Sequence, residues 1–293
     1  GTIPEEPFAI GEEFANGDAL SKAANRAHER LDRKDPAGAI TTLRAALADV
    51  DGHGTFADSR GIEWRYFGNY VDRALYNRLY GTSETSIMLV PDSYFECHLM
   101  LSAAYEAQGR HEAARKHAKR TVELAPLDRR ARLHLVHCHE TAGDNEKAIE
   151  ELSRLLSTAH DPEGLGIGYY RMAFFQWQKG NILAAEACYK SSLGVLRGSF
   201  PMAATELATL AMQHPETFRE DLSQEEMISI LIDANIPIAP TEPIADAFLS
   251  CMKASVDAEV FPVARNFVSI LAGLYPDDVV FGILRSLETE PDA

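Results

Sequence analysis

Three glycines, Gly109, Gly143 and Gly180, stand 34 and 37 residues apart, and each is followed five residues later by an alanine: Ala114, Ala148 and Ala185. Four residues further on come Ala118, Leu152 and Tyr189, and prolines close the first two units at Pro126 and Pro162. The spacing recurs more weakly elsewhere. Ala264, Val268 and Pro276 repeat the offsets of Ala114, Ala118 and Pro126, while Ala39 and Leu43 align with Ala148 and Leu152. A self-similar period of this length marks a small unit stacked on copies of itself, because one helix pair cannot bury its own apolar face. Alanine at the crossing points lets neighbouring helices approach closely, and glycine takes the turn where the first helix of a pair ends.

From Asp18 onwards apolar residues recur at three and four, and breakers fall at regular intervals. No segment alternates convincingly at period two, so the chain reads as all-α without a substantial sheet. Helices are expected over 18–33, 37–49, 60–80, 93–108, 111–124, 129–142, 145–157, 166–179, 182–196, 200–214, 224–234, 243–256 and 260–274, with a capping helix at 277–289. Residues 1–15 (two prolines, four glutamates) read as a linker or strap. Residues 16–92 hold a helical pair plus an aromatic-rich insertion helix carrying Trp64, Tyr66, Phe67, Tyr70, Tyr76 and Tyr80. Residues 93–199 hold three consecutive units, and 200–293 the C-terminal helices. The polar stretch 215–223 is a loop, and 235–243, with three prolines, marks a bend or subdomain boundary.

Residues 93–196 resemble the tetratricopeptide repeat family, a helix–turn–helix unit of about 34 residues. Weaker units lie at 18–50 and 243–276. The family's first-helix pattern is Trp-x2-Leu-Gly-x2-Tyr. The matching slots here read His98-Leu101-Ser102-Tyr105, Arg132-Leu135-Val136-His139 and Tyr169-Met172-Ala173-Gln176, so the repeats are degenerate. The resemblance implies a right-handed superhelical solenoid of antiparallel helix pairs, with first helices lining a concave side. It also implies a non-catalytic scaffold that binds a protein or peptide there.

Tyr170, Phe174 and Trp177 follow one another at i, i+4 and i+7 and share one helix face. Tyr169, Met172, Ala173 and Gln176 beside them already fill the packing slots, so this helix is apolar on one face more than packing requires. By resemblance the extra face joins Leu99, Ala103 and Glu106, and Leu133, His137 and Glu140, in the concave groove. Two occupants are open: a partner's peptide, or the protein's own 60–80 helix or N-terminal strap. Chaperone-adaptor members of the family hold a C-terminal carboxylate with Lys and Asn. The corresponding slots here carry Glu106, Glu140 and apolar residues, which excludes that activity.

Other constellations are read as structural. His134, His137, Cys138 and His139 spread over different helix faces and are ordinary helix residues rather than metal ligands. Residues 49–60 imitate a calcium loop, but Arg60 stands where the bidentate glutamate belongs. Gly164, Gly166 and Gly168 lack the strand and the Lys-Ser/Thr of a phosphate cradle and read as an elongated turn. No GxSxG, HExxH or Walker motif occurs, and no cofactor is called for.

The net charge of −16 argues against nucleic acid as a partner. Charge is uneven, +5 over 110–132 and −11 over 215–293. Arg115, Lys116, Lys119 and Arg120 are expected on a solvated outer face, with end-to-end self-association as the other possibility. No apolar run approaches the roughly 20 residues of a membrane span. The four cysteines form no CxxC pair and are expected to be free thiols in a reducing, cytoplasmic setting. The chain opens Gly1-Thr2-Ile3 without Met, which suggests a cleaved tag and missing upstream residues; the alternative to a scaffold is then a sensory or regulatory part of a longer protein.

Overall fold

The computed structural model describes residues 18–274. The strap expected over 1–15 and the capping helix over 277–289 lie outside the described residues. In chain order the elements are α1 (Ala19–Asp32), α2 (Pro36–Gly52), β1 (Ile62–Arg65), α3 (Tyr70–Tyr80), β2 (Ser86–Leu89), α4 (Asp92–Ala107), α5 (His111–Leu124) and α6 (Arg129–Thr141). Then come α7 (Asn145–Thr158), α8 (Pro162–Gln178), α9 (Ile182–Leu196), α10 (Pro201–Gln213), α11 (Gln224–Asp233), α12 (Glu242–Asp257) and α13 (Phe261–Leu274). The fold class is all-α, built of antiparallel helix pairs. The chain forms two compact units: one runs to Asn69 and resumes over Gly81–Asp144, the other comprises Tyr70–Tyr80 and the chain from Asn145.

Local chemistry sets the helix starts. The side chains of Asp18, Asp35, Asp128 and Asp161 each accept a hydrogen bond from a first-turn amide of the helix they precede. Proline follows directly in α2 and α8, where its missing N–H costs nothing. Ser223 and Glu226 close a reciprocal capping box on α11. At the pair turns Gly109, Gly143 and Gly180 have φ of +69°, +76° and +81°, a region that a side chain enters only with strain.

The repeat positions are the core. Ala114, Ala118, Ala148, Leu152, Ala185 and Tyr189 are all completely buried, as are Ala39, Leu43 and Ala264. In the first unit one continuous core runs from Leu20 through Leu43, Phe56, Tyr94 and Leu101 to Cys138. All four cysteines are free and buried. Burial pushes the Cys97 thiol up to about 12 and that of Cys138 to about 11, far from the thiolate that reacts.

Three expectations are corrected. The span 60–80 is not one helix. Ile62–Arg65 is a strand paired in parallel with Ser86–Leu89, in the register Ile62↔Ser86 to Arg65↔Leu89. Gly61, at φ +79°, starts the strand, and only Tyr70, Tyr76 and Tyr80 of the six aromatics are helical. Trp64 instead meets Phe56 edge-on at 5.1 Å, and Tyr66 stacks on Phe95 at 4.2 Å. Second, Gly164, Gly166 and Gly168 are not a turn but lie within α8. A Cβ at Gly166 would overlap Leu196, and one at Gly168 would come 2.7 Å from Leu155 Cδ2 and 2.9 Å from Leu156 Cδ2. They are glycine because neighbouring side chains occupy the space. Third, Arg120 is not a solvated outer residue. Its guanidinium donates to the Phe56 carbonyl at 3.0 Å and to the Tyr94 hydroxyl at 3.2 Å.

In the second unit, α3 packs on α12 and α13. Tyr70 meets Phe267 edge-on and bonds Asn266, and Asp72 binds His160 at 2.6 Å. Residues 235–243 lie inside this unit. The Tyr169 hydroxyl pins them by donating to the Pro237 carbonyl at 2.9 Å and accepting from the Ala239 amide at 2.8 Å. The loop 215–223 is held from beneath by Glu186, which is fully buried and accepts from the Arg219 amide at 2.8 Å and from Lys190 at 2.7 Å.

Candidate interaction surface

In the second unit the aromatic stripe belongs to α8. Its amphipathic period puts Tyr169, Met172, Ala173 and Gln176 in the core, each 3% exposed or less. Tyr170, Phe174 and Trp177, one position round, are half-buried. Their neighbours come from α10, which runs alongside α8 in the same direction. The Tyr170 ring meets Phe200 edge-on at 4.7 Å, and Trp177 meets His214 at 6.5 Å. Midway, Glu206 accepts from the hydroxyls of Tyr170 at 2.8 Å and Tyr189 at 2.9 Å. Burial, then this carboxylate, pushes the Tyr170 phenol up to about 12, so it stays a donor at any physiological pH. Phe174 lies against Phe175 at 5.5 Å. Glu206, Phe200 and His214 are missed by sequence reasoning, since nothing in their own helix marks them as partners of the stripe.

In the first unit, Ala103 and His137 are exposed, while Leu99, Glu106, Leu133 and Glu140 are half-buried. The two first helices are tied together here. Glu106 accepts from the Thr141 hydroxyl at 2.7 Å, Ser102 Oγ meets His134 Nε2 at 2.7 Å, and Arg130 pairs with Glu96 at 2.9 Å. Glu106 also faces His111 Nδ1 at 3.3 Å. Of the histidine group, His134 is thus spent on Ser102, His137 is exposed and His139 is buried. Among the described residues no group of three or more His, Cys, Asp or Glu is arranged to hold a metal ion. No helix among them is long and apolar enough to cross a membrane.

Residues 94–167 match the family model of the tetratricopeptide repeat. The match covers about a quarter of the chain. Two solved structures are similar along the chain: PilF of Pseudomonas aeruginosa, at 14% identity and TM-score 0.46, covering 92% of this chain and 97% of that one. The other is a tetratricopeptide repeat protein from Parabacteroides merdae, at 11% identity and TM-score 0.35, covering 92% and 99%. No curated protein is significantly similar in sequence.

All twelve first-helix slots of the three units over 93–199 are buried, although most depart from the residue types of the tetratricopeptide pattern. Several of the polar substitutes are paired in place. Ser102 donates to the Ala114 carbonyl at 2.7 Å, Arg132 to the Pro126 carbonyl at 3.1 Å, and Gln176 accepts from Asn181 at 2.9 Å. His98 sits between Asp51, at 3.1 Å from its Nε2, and His117, at 3.0 Å from its Nδ1. At Ser102, Arg132 and Gln176 the departure from the family's residue types is thus absorbed by hydrogen bonds, which offset the cost of burying a polar group. Tetratricopeptide repeats generally mediate protein–protein interaction.

Proposed function

We propose that the protein is a non-catalytic scaffold whose first helices hold a segment of a partner protein, with Tyr170, Phe174 and Trp177 as its aromatic anchor. The observation that carries the reading is the second apolar face of α8. The packing slots are already filled and buried, and these three large rings stay half-exposed beside them, Tyr170 and Trp177 flanking Tyr189 with their inner edges. Aromatic side chains in such positions supply large contact area at small entropy cost and dominate recognition energetics. Leu99, Ala103, Glu106, Leu133, His137 and Glu140 form the corresponding surface on the first unit. Its carboxylates select against a peptide's free C-terminus and favour a basic segment.

The test compares affinity capture from the source organism's lysate by wild type and by a folded Phe174→Ala/Trp177→Ala variant. Binding of each captured protein is then measured directly with both forms. A partner bound by wild type and lost by the variant supports the reading. Identical captures would overturn it.

A further inference from the structure

We propose that β2 pairs edge to edge with β2 of a second copy of the chain. The two strands of the sheet differ in what their outer edges do. On β1 the outward amides are all used: Ile62 donates to the Ser59 carbonyl at 3.1 Å, Trp64 to Asp58 Oδ1 at 2.8 Å, and Tyr66 to the Leu124 carbonyl at 2.8 Å. On β2 the amides of Ser86 and Val90 point inward, to Gly61 and Arg65. By the period of two, Ile87 and Leu89 therefore turn their N–H and C=O groups outward. Among the described residues these groups have no partner.

The side chains around this edge are apolar and open. Met88 and Leu89 are 44% and 47% exposed, and Ile62, across from Ser86, is 38% exposed. A quarter of the whole chain is charged, yet from Gly81 to Pro91 the only charge is Glu84. Proteins normally blunt a free edge with lysine, proline, a covering loop or brevity of the strand; β2 is short, but its four residues carry neither charge nor proline.

The occupant must be an extended, uncharged strand with its own edge free. β2 itself is such a strand, and β1, the other strand among the described residues, is not. Antiparallel pairing about a twofold axis is the self-complementary arrangement. With Ile87 opposite Ile87 of the second copy, Thr85 meets Leu89 and Glu84 meets Val90, so no carboxylate faces another and Pro91 is left outside the ladder. A four-stranded sheet results. One short strand per copy buries less than the roughly 1,200 Å² of the smallest stable interfaces, so the association is weak and concentration-dependent. Each copy carries −16, and screening that repulsion strengthens it.

Sedimentation velocity from micromolar to several hundred micromolar protein, at low and high salt, tests this. Wild type should pass from monomer to dimer, more readily at high salt, while Leu89→Pro stays monomeric. Leu89→Pro removes an N–H that the fold does not use; should it melt early, Leu89→Lys keeps the amide and adds a gatekeeping charge. Amide exchange at Ile87 and Leu89 should slow with concentration in wild type alone. A wild type that stays monomeric would overturn the proposal and leave the edge to a strand of another protein. So would a dimer that survives both substitutions or that salt dissolves; the latter would instead be joined by the oppositely charged stretches.

Discussion

Asp72 and His160 are 88 positions apart in the chain and share a 2.6 Å hydrogen bond within the second unit. Burial opposes a charge on this imidazole, but the hydrogen bond and charge of Asp72, with the Thr158 carbonyl on Nδ1, outweigh it and raise the histidine pKa. A raised pKa means that the pair's contribution is full below the unfolded value near 6.5 and is lost as pH rises through the folded value. Asp72→Ala should therefore lower stability by about 3–5 kcal/mol below pH 6, the cost of stranding a buried partner. The deficit should shrink as pH rises above the unfolded value near 6.5. Denaturant midpoints across that range check it, and a pH-independent deficit would refute the linkage.

His117 has the opposite sign. Burial first, then His98 and Lys116, depress its pKa to about 4. With the two Nδ1 atoms 3.0 Å apart, one proton serves both rings, and a second would set N–H against N–H. The unfolded histidine takes up its proton near pH 6.5 and the folded one only near 4, so stability falls as pH drops across that window. Thermal unfolding from pH 7 to 4 should show a decline in wild type that His117→Gln flattens. Parallel profiles would show that the acid sensitivity lies elsewhere.

Two neighbouring glycines should respond differently to the same substitution. Gly168→Ala drives a methyl into Leu155 and Leu156, both buried, and should cost about 1–3 kcal/mol despite the better helix propensity of alanine. Gly166→Ala runs first into Leu196, which is half-buried at the end of α9 and freer to turn aside, and should cost less. Urea midpoints of the two variants would rank them, and the reverse order would mean that α9 is the more rigid neighbour.

Glu206 holds two phenols at once, so Glu206→Ala leaves both without their acceptor and should cost about 1–3 kcal/mol. Tyr170→Phe in that background should add almost nothing, because the bond it removes is already gone. A double-mutant cycle by denaturant unfolding reads the coupling directly.

The helix pairs were legible because their signal is local: a glycine turn, an alanine five residues on, and an aspartate cap before several of the helices. What escaped depends on partners that lie far off in the chain. Ile62–Arg65 alternates for four residues only, and its mate begins at Ser86, so no window contains both. Gly166 and Gly168 look like a turn until Leu155, Leu156 and Leu196 are seen to occupy the space where side chains would go. Arg120 has the helical spacing of a surface residue, and nothing nearby announces that Tyr94 and the Phe56 carbonyl will draw it in. The stripe Tyr170–Phe174–Trp177 was visible as a face. Its flank along α10 was not, because Glu206 and His214 belong to a helix that becomes adjacent only when repeats stack.

The chain visits the second unit twice, first for α3 and again from Asn145. A single scission at Asp144 therefore does not release two domains. It yields a C-terminal piece without Asp72 for His160 and without Tyr70 for Phe267, and an N-terminal piece still carrying α3 as an orphan amphipathic helix. Gene fragments cut at that point would inherit the same defect, and only pieces that carry α3 with the downstream helices keep the second unit whole.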